Sequence, residues 1–261
     1  MRLVALVLLC LVATASVLVA VRPQTGYAVQ DRDHVAAEGS AIHWAGTDQL
    51  GRDRAARVAV AVLLGLTGAA AASALASIIA VSVGVTAAFA PRGVAACLMY
   101  LCDLFLALPW LFLLMIVRSA LPLNLAPAQS AAVTFLLLAL LGWPAYARMT
   151  YAGAFAIRNS EWLIQGLAAG LRKRQLVLQH ILPQLRPLLL SQFLICIPAC
   201  LIAEANLGTM GLGISEPLPS WGAMLLEVES SAVLASSHWV YLPVFLLMTV
   251  LLLLELLVFE V

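Results

Sequence analysis

The sequence predicts an all-α, polytopic membrane protein with about six transmembrane helices, and three observations carry that prediction. Of its 261 residues 64% are hydrophobic and only 10% are charged. Soluble domains hold about 25% charged and about 45–50% apolar residues, so lipid is the solvent to reason with. The mean hydropathy is +1.04. The charges also bracket apolar intervals close to the roughly 20 residues that a spanning helix needs. The cations are scattered over separate loops, so the net charge of +1 is no sign of a nucleic-acid partner, and none is expected.

Taken in order, Leu3 to Val21 is a charge-free apolar run of 19 residues. A signal-peptide core is about 7–15 residues, and Leu9 before Cys10 is bulky for a lipoprotein cleavage site. Residues 1–21 are therefore expected to be an uncleaved first transmembrane helix. A charged segment, 22–57, follows on the outer side, and 58–261 is the remaining core with five spans. Val58 to Pro91 carries no charge and holds the second span. The third runs over about Val94 to Val117, interrupted by Asp103 and Pro109, and the fourth over Ala131 to Tyr146. A polar insert occupies about 148–186. Pro187 to Ala205 is the fifth span, and the sixth begins near Trp239.

Orientation follows the Lys/Arg bias. With both termini inside, the inner side holds Arg2, Arg92, Arg148, Arg158, Arg172, Lys173, Arg174 and Arg186, and the outer side holds Arg22, Arg32, Arg52, Arg54, Arg57 and Arg118. The insert is then the main cytoplasmic loop. Its core reads "EWLIQGLAAGLRKRQLVLQHILP", Glu161 to Pro183. Leu163, Leu167, Leu171, Leu178 and Leu182 recur at helical spacing, Gly170 is a turn point, and Pro183 with Pro187 is expected to halt helix before the fifth span. By pattern alone this insert either lies on anionic headgroups or docks on a partner. Arg172 to Arg174 either set topology or take part in that docking.

Asp103 and Glu204 fall inside spans, where ionisable groups are costly and face a cavity or partner. Each reads as a lining of a polar pathway, or as a residue near a membrane interface. Trp221, between Pro217 and Pro219 and the last span, reads as part of an outer loop or of an interfacial belt. Asp48, Arg52 and Asp53 read as an outer contact or as local salt bridging and helix capping. The cysteines, Cys10, Cys97, Cys102, Cys196 and Cys200, all lie in apolar segments and read as small apolar filler. The four histidines are far apart in the chain and suggest no metal site. There is no Gly-x-x-x-x-Gly-Lys-Ser/Thr, and Lys173 is the only lysine, so any ATP is bound by another subunit. No residue set suited to an intramembrane enzyme occurs.

Three stretches together resemble one family. Gly170 stands ten residues before His180-Ile181-Leu182-Pro183, which is similar to the cytoplasmic signature loop of binding-protein-dependent ABC importer permeases. "GTDQLGRD", Gly46 to Asp53, and "LIAEANLGTMGLGISEPLPSWGAMLLE", Leu201 to Glu227, resemble the dipeptide/oligopeptide/nickel subfamily, and in particular its second permease. "LCDLFLALPWLFLL" and "LLGWPAYARM" look like that family's third and fourth helices. The family's Glu-Ala-Ala triplet is Ile164-Gln165-Gly166 here, with Glu161 three residues upstream to supply a carboxylate. The family's Gly-Asp and basic tail give way to "LLLLELLVFEV", and a divergent or truncated C-terminus is the expectation.

The resemblance implies a type I ABC importer permease fold in a bacterial inner membrane. It implies peptide import, with nickel or another small solute, or a non-transporting scaffold role, as alternatives. It further implies a second permease, two ATPases that hold the ATP and Mg, an extracytoplasmic substrate-binding protein and membrane lipid as partners. No cofactor would be held by this chain. Glu161, Leu167, Gly170, Leu171, Arg172, His180 and Pro183 would couple to the ATPase. Asp103 and Glu204 would line the pathway, and Asp48, Arg52 and Trp221 would meet the binding protein.

Overall fold

Small residues build the centre of the bundle. A computed structural model describes residues 2–22, 26–122, 124–158, 160–161, 173–229 and 238–258. Its longest helix, α2 (Arg54–Phe89), buries Ala61, Gly65, Ala69, Ala72, Ala76, Ala80 and Gly84 at three- and four-residue intervals. That spacing keeps one face of a helix free of bulk, so a second backbone can come close. The second backbone is α5 (Pro127–Arg158). At Gly84 a Cβ would stand 2.7 Å from the Ala147 carbonyl oxygen and 2.9 Å from the Tyr151 nitrogen, so glycine is required there by contact with α5 backbone.

Around this pair stand α1 (Arg2–Ala20), α6 (Leu182–Thr209) and α8 (Leu242–Val258), with the short α7 (Trp221–Glu229) packed on α6. The first helix buries Ala5 and Ser16 and leaves Leu3 and Leu18 about three-quarters exposed, at 75% and 74%. It is a peripheral helix that touches α2 and α8.

Among the described residues five helices are long and apolar enough to cross a membrane, and a bent pair, α3 (Arg92–Ala107) and α4 (Trp110–Ala120), angled by 85°, makes six if its two pieces form one span. Pro109 explains the break. It has no N–H to give, and it drives the preceding residue out of the helical region; Leu108 lies at φ −95°, ψ 137°. The second span begins at Arg54, one turn earlier than the charge-free interval suggested, because Arg54 and Arg57 are buried by ion pairing.

Pro183 corrects an expectation. It does not halt the helix, and neither does Pro187: helix runs on from Lys173–Leu176 through a π-helical turn, Val177–Ile181, into α6. The wider turn absorbs the lost proline hydrogen bond, since the Leu182 N–H reaches back five residues to the Val177 carbonyl. At this end of the bundle Val85, Ala88, Ala154, Leu176, Ile181 and Leu185 form their own apolar cluster, and Arg158 donates to the Ala88 carbonyl at 2.7 Å.

Candidate functional site

The opposite end is polar, and the stretch Gly46–Asp53 organises it. Gly51 takes a left-handed φ of +75°, and a Cβ there would meet the Asp31 carbonyl oxygen at 2.0 Å. Inside this turn the Asp48 carboxylate accepts from the N–H of Leu50 at 2.9 Å and of Arg52 at 2.8 Å. Asp53 then caps α2, accepting from the Ala56 N–H at 2.7 Å, and its other oxygen meets His43 Nδ1 at 2.8 Å.

A capped helix start throws three arginines toward the loop after α6 and toward α7 beyond it. Arg52 donates to Asp48 at 2.6 Å and to Glu216 at 2.6 Å. Arg57, which is 2% exposed, donates to Glu216 at 3.0 Å and has its Nε 3.6 Å from Asp48. Arg54 donates to Glu227 at 3.0 Å. This clamp joins segments more than 150 residues apart in sequence. Burial would raise the Glu216 carboxyl, but hydrogen bonds and charge from Arg57 and then Arg52 outweigh it and hold Glu216 below its ordinary value. Nearby, the hydrogen bond from His34 holds Asp31 low.

Three residues expected to meet a binding protein lie in or beside this clamp. Asp48 is 2% exposed and Arg52 has 12% of its side chain exposed, and the two are paired with each other. Trp221 is fully buried, with its indole against Gly65 of α2. It is a wedge that seats α7 against α2. The salt-bridging and capping alternative describes Asp48, Arg52 and Asp53.

Within the spans, Glu204 is 1% exposed on α6 and is directed at the first turn of α7, toward the Ser220 hydroxyl and the N–H groups of Trp221 and Gly222. Neither of its oxygens closes a hydrogen bond of normal geometry. An acid at a helix N-terminus is a favourable placement, and it seats α7 on α6. Asp103, on α3, pairs with Arg148 of α5, and both side chains are about half exposed, at 49% and 43%. A cavity of about 360 Å³ opens beside the α3/α4 break, walled by Phe105, Pro109, Trp110, Tyr146, Cys196 and Cys200. The two thiols there stand 3.8 Å apart.

Of the residues expected to couple to an ATPase, Leu167, Gly170, Leu171 and Arg172 lie outside the described residues. Glu161 is exposed, and His180 and Pro183 lie at the helical entry to α6, at the end opposite the clamp.

Sequence reasoning missed Arg57, Glu216 and Arg148. A charge-matching signal existed for the first two, since Glu216, Glu227 and Glu229 are the acids between the fifth and sixth spans and Arg52, Arg54 and Arg57 crowd the start of the second. Arg148 was read as part of the polar insert, whereas α5 continues to Arg158.

Comparison with known proteins decides the lineage. Residues 80–260 match the family of binding-protein-dependent transport system inner membrane components. The chain belongs to that family. It is 31% identical to a peptide permease protein of Brucella suis biovar 1 (strain 1330) over 202 residues, 77% of this chain and 64% of the relative. It is 26% identical to the dipeptide transport system permease protein of Bacillus subtilis (strain 168), over 79% of this chain and 62% of that one. The glutathione transport system permease protein of Pectobacterium atrosepticum is 26% identical over 85% of this chain and 71% of its own length. The chain thus spans just under two thirds of the Brucella and Bacillus permeases. Its helical architecture, with several long apolar helices, is that of a multi-pass inner membrane component.

Proposed function

We propose that this chain is a membrane-spanning subunit of an ATP-driven peptide importer, with the clamp end facing outward and residues 161–183 facing the cytoplasm. The observation that carries the reading is the family match across 80–260, which includes that segment and every span after the second helix. In this reading a second permease completes the translocation pathway, with Asp103 lining it. Two cytoplasmic ATPases hold ATP and Mg, and a substrate-binding protein delivers peptide from outside. Both termini lie inside. The relatives named for peptide, dipeptide and glutathione transport support a peptide cargo. The cytoplasmic orientation agrees with the concentration of Arg172, Lys173 and Arg174 beside Arg158 and Arg186. Coupling would run from the ATPase through Leu167, Gly170, Leu171 and Arg172 to the π-helical turn, and so into α6.

The test is a cross-link. Ala169→Cys is placed in a chain whose five native cysteines are replaced, and is expressed with its partner permease and ATPases. A cross-link to the ATPase that changes with ATP is the expected result. Labelling of Cys at this site only from outside would overturn the orientation. Labelling from inside with no cross-link would overturn the coupling role and favour a scaffold.

A further inference from the structure

Arg118 stands out from the other buried cations. Arg57, Arg54 and Arg52 each have a carboxylate partner. Arg118 closes α4, is 0% exposed, and has no carboxylate within ion-pair reach among the described residues. What it has are neutral acceptors at long range: the Pro122 carbonyl at 3.2 Å, the Ser130 hydroxyl at 3.2 Å and the Gly213 carbonyl at 3.4 Å. Its Nε has no partner at all. Ser130 is itself committed, accepting from the Ser215 N–H at 3.1 Å and donating to Gly213 at 3.4 Å. A buried cation left this way is costly, because desolvation is not offset by an opposite charge.

A cavity of about 240 Å³ adjoins it, at the clamp end, walled by Arg118, Gly211, Gly213, Ser215, Glu216 and Ser220. Glu216 does not neutralise Arg118, since its two oxygens are taken by Arg52 and Arg57. The missing element is an anion small enough for this space. A guanidinium presents a planar fork that fits a carboxylate.

We propose that this cavity is a subsite for the C-terminal carboxylate of a peptide, held by Arg118. The assignment of a peptide rests on the function proposed above. A peptide end carries one carboxylate on a chain narrow enough to enter, and the cavity has room for about its last residue. Gly211, Gly213, Ser215 and Ser220 line the space beside the charge. Arg118 is the one cation in this lining, and Arg52 and Arg57 nearby are taken by Asp48 and Glu216, which favours a single terminal carboxylate over an acidic side-chain cluster.

The test measures ligand-dependent thermal stabilisation of the full chain, assembled with its co-purifying subunits in lipid nanodiscs. The probes are trialanine, trialanine amide, and an amidated tripeptide whose only carboxylate is an aspartate side chain. Trialanine should bind at least about tenfold more tightly than its amide, the scale of a lost charged hydrogen bond. Arg118→Gln should erase that preference, and Arg118→Lys, which keeps the charge without the fork, should retain part of it. Equal binding of trialanine and its amide to the unaltered protein would overturn the site, whether or not the Gln variant folds. A preference that survives Arg118→Gln would also overturn it. Equal binding of the aspartate peptide would overturn the assignment to the terminus. Peptide uptake is measured separately in proteoliposomes. Carboxylate binding without uptake would count against peptide import and leave the subsite standing.

Discussion

The clamp and the Asp103–Arg148 pair both join segments distant in sequence, yet their surroundings are opposite. Arg54, Arg57 and Asp48 of the clamp are buried, and Asp48 and Glu216 are each shared by two cations, Arg52 and Arg57. Asp103 and Arg148 form a single pair on the bundle's flank, about half exposed among apolar neighbours. A shared, buried network fixes geometry: three cations at one helix start meet Glu216 in the loop before α7 and Glu227 on α7, so α2 is held to that segment. A lone, half-exposed pair fixes little. Its presence on a helix that crosses lipid says more about what faces it than about what it holds.

The largest expected effect comes from breaking the clamp at its most buried member. Arg57→Met removes the cation between Asp48 and Glu216 and leaves buried Asp48 with fewer partners. Breaking a buried pair costs about 3–5 kcal/mol. Half of the Glu216 side chain is exposed, which places this variant near the lower end of that range, about 3 kcal/mol. Denaturant or thermal unfolding in nanodiscs measures it. A loss below about 1 kcal/mol would show that the clamp behaves like a surface pair.

Next comes the seam between α2 and α5. Gly84→Leu pushes a side chain into the α5 backbone at Ala147 and Tyr151, which cannot rotate away as a flexible side chain would. Overpacking of this kind costs about 1–3 kcal/mol. Double-cysteine distance measurements between α2 and α5 should widen in the same variant. An unchanged spacing and stability would show that the two helices are not held by close backbone approach.

The spans and their breaks were legible in the sequence because they depend on local properties. The charge-free interval after Arg57 marks α2, Pro109 marks the bend between α3 and α4, and the turn glycines and Asp53 mark a helix start. Pairings were not legible, because they depend on which distant segment a side chain meets. Arg57 and Glu216 are 159 residues apart, and nothing in either neighbourhood names the other. Pro183 misled because its effect depends on whether the preceding turn can widen, and here it does.

Acid sharpens the contrast between the two assemblies. The clamp holds Glu216 below its ordinary value near 4.5, so the folded state favours the carboxylate. Its contribution is complete above that ordinary value and is lost as pH falls through the lower folded value. Stability measured from pH 7 downward should therefore drop through the acid range, and Glu216→Gln should flatten that part of the drop. A variant with an unaltered acid profile would remove Glu216 from the linkage. Asp31, held low by His34, contributes with the same sign and remains in the Gln variant as an internal reference.

The smallest stability change belongs to the flank pair. Exposed ion pairs are worth about 0–1 kcal/mol, so Asp103→Asn and Arg148→Gln should each leave unfolding nearly unchanged. Their effect should appear in transport, because a single substitution strands one charge on a surface that either meets lipid or lines a solvated path. If the flank lines a path, a cysteine at exposed Leu104 reacts with a membrane-impermeant thiol reagent in the assembled complex. The exchanged pair, Asp103→Arg with Arg148→Asp, should then keep more uptake than either single reversal, since it restores neutrality without restoring the original order of charges. If Leu104→Cys is inert and the single variants transport normally, the pair is shielded by lipid or by a second subunit. The cost of keeping it there would then have to be met by mutual attraction alone, which a single pair at half exposure supplies poorly.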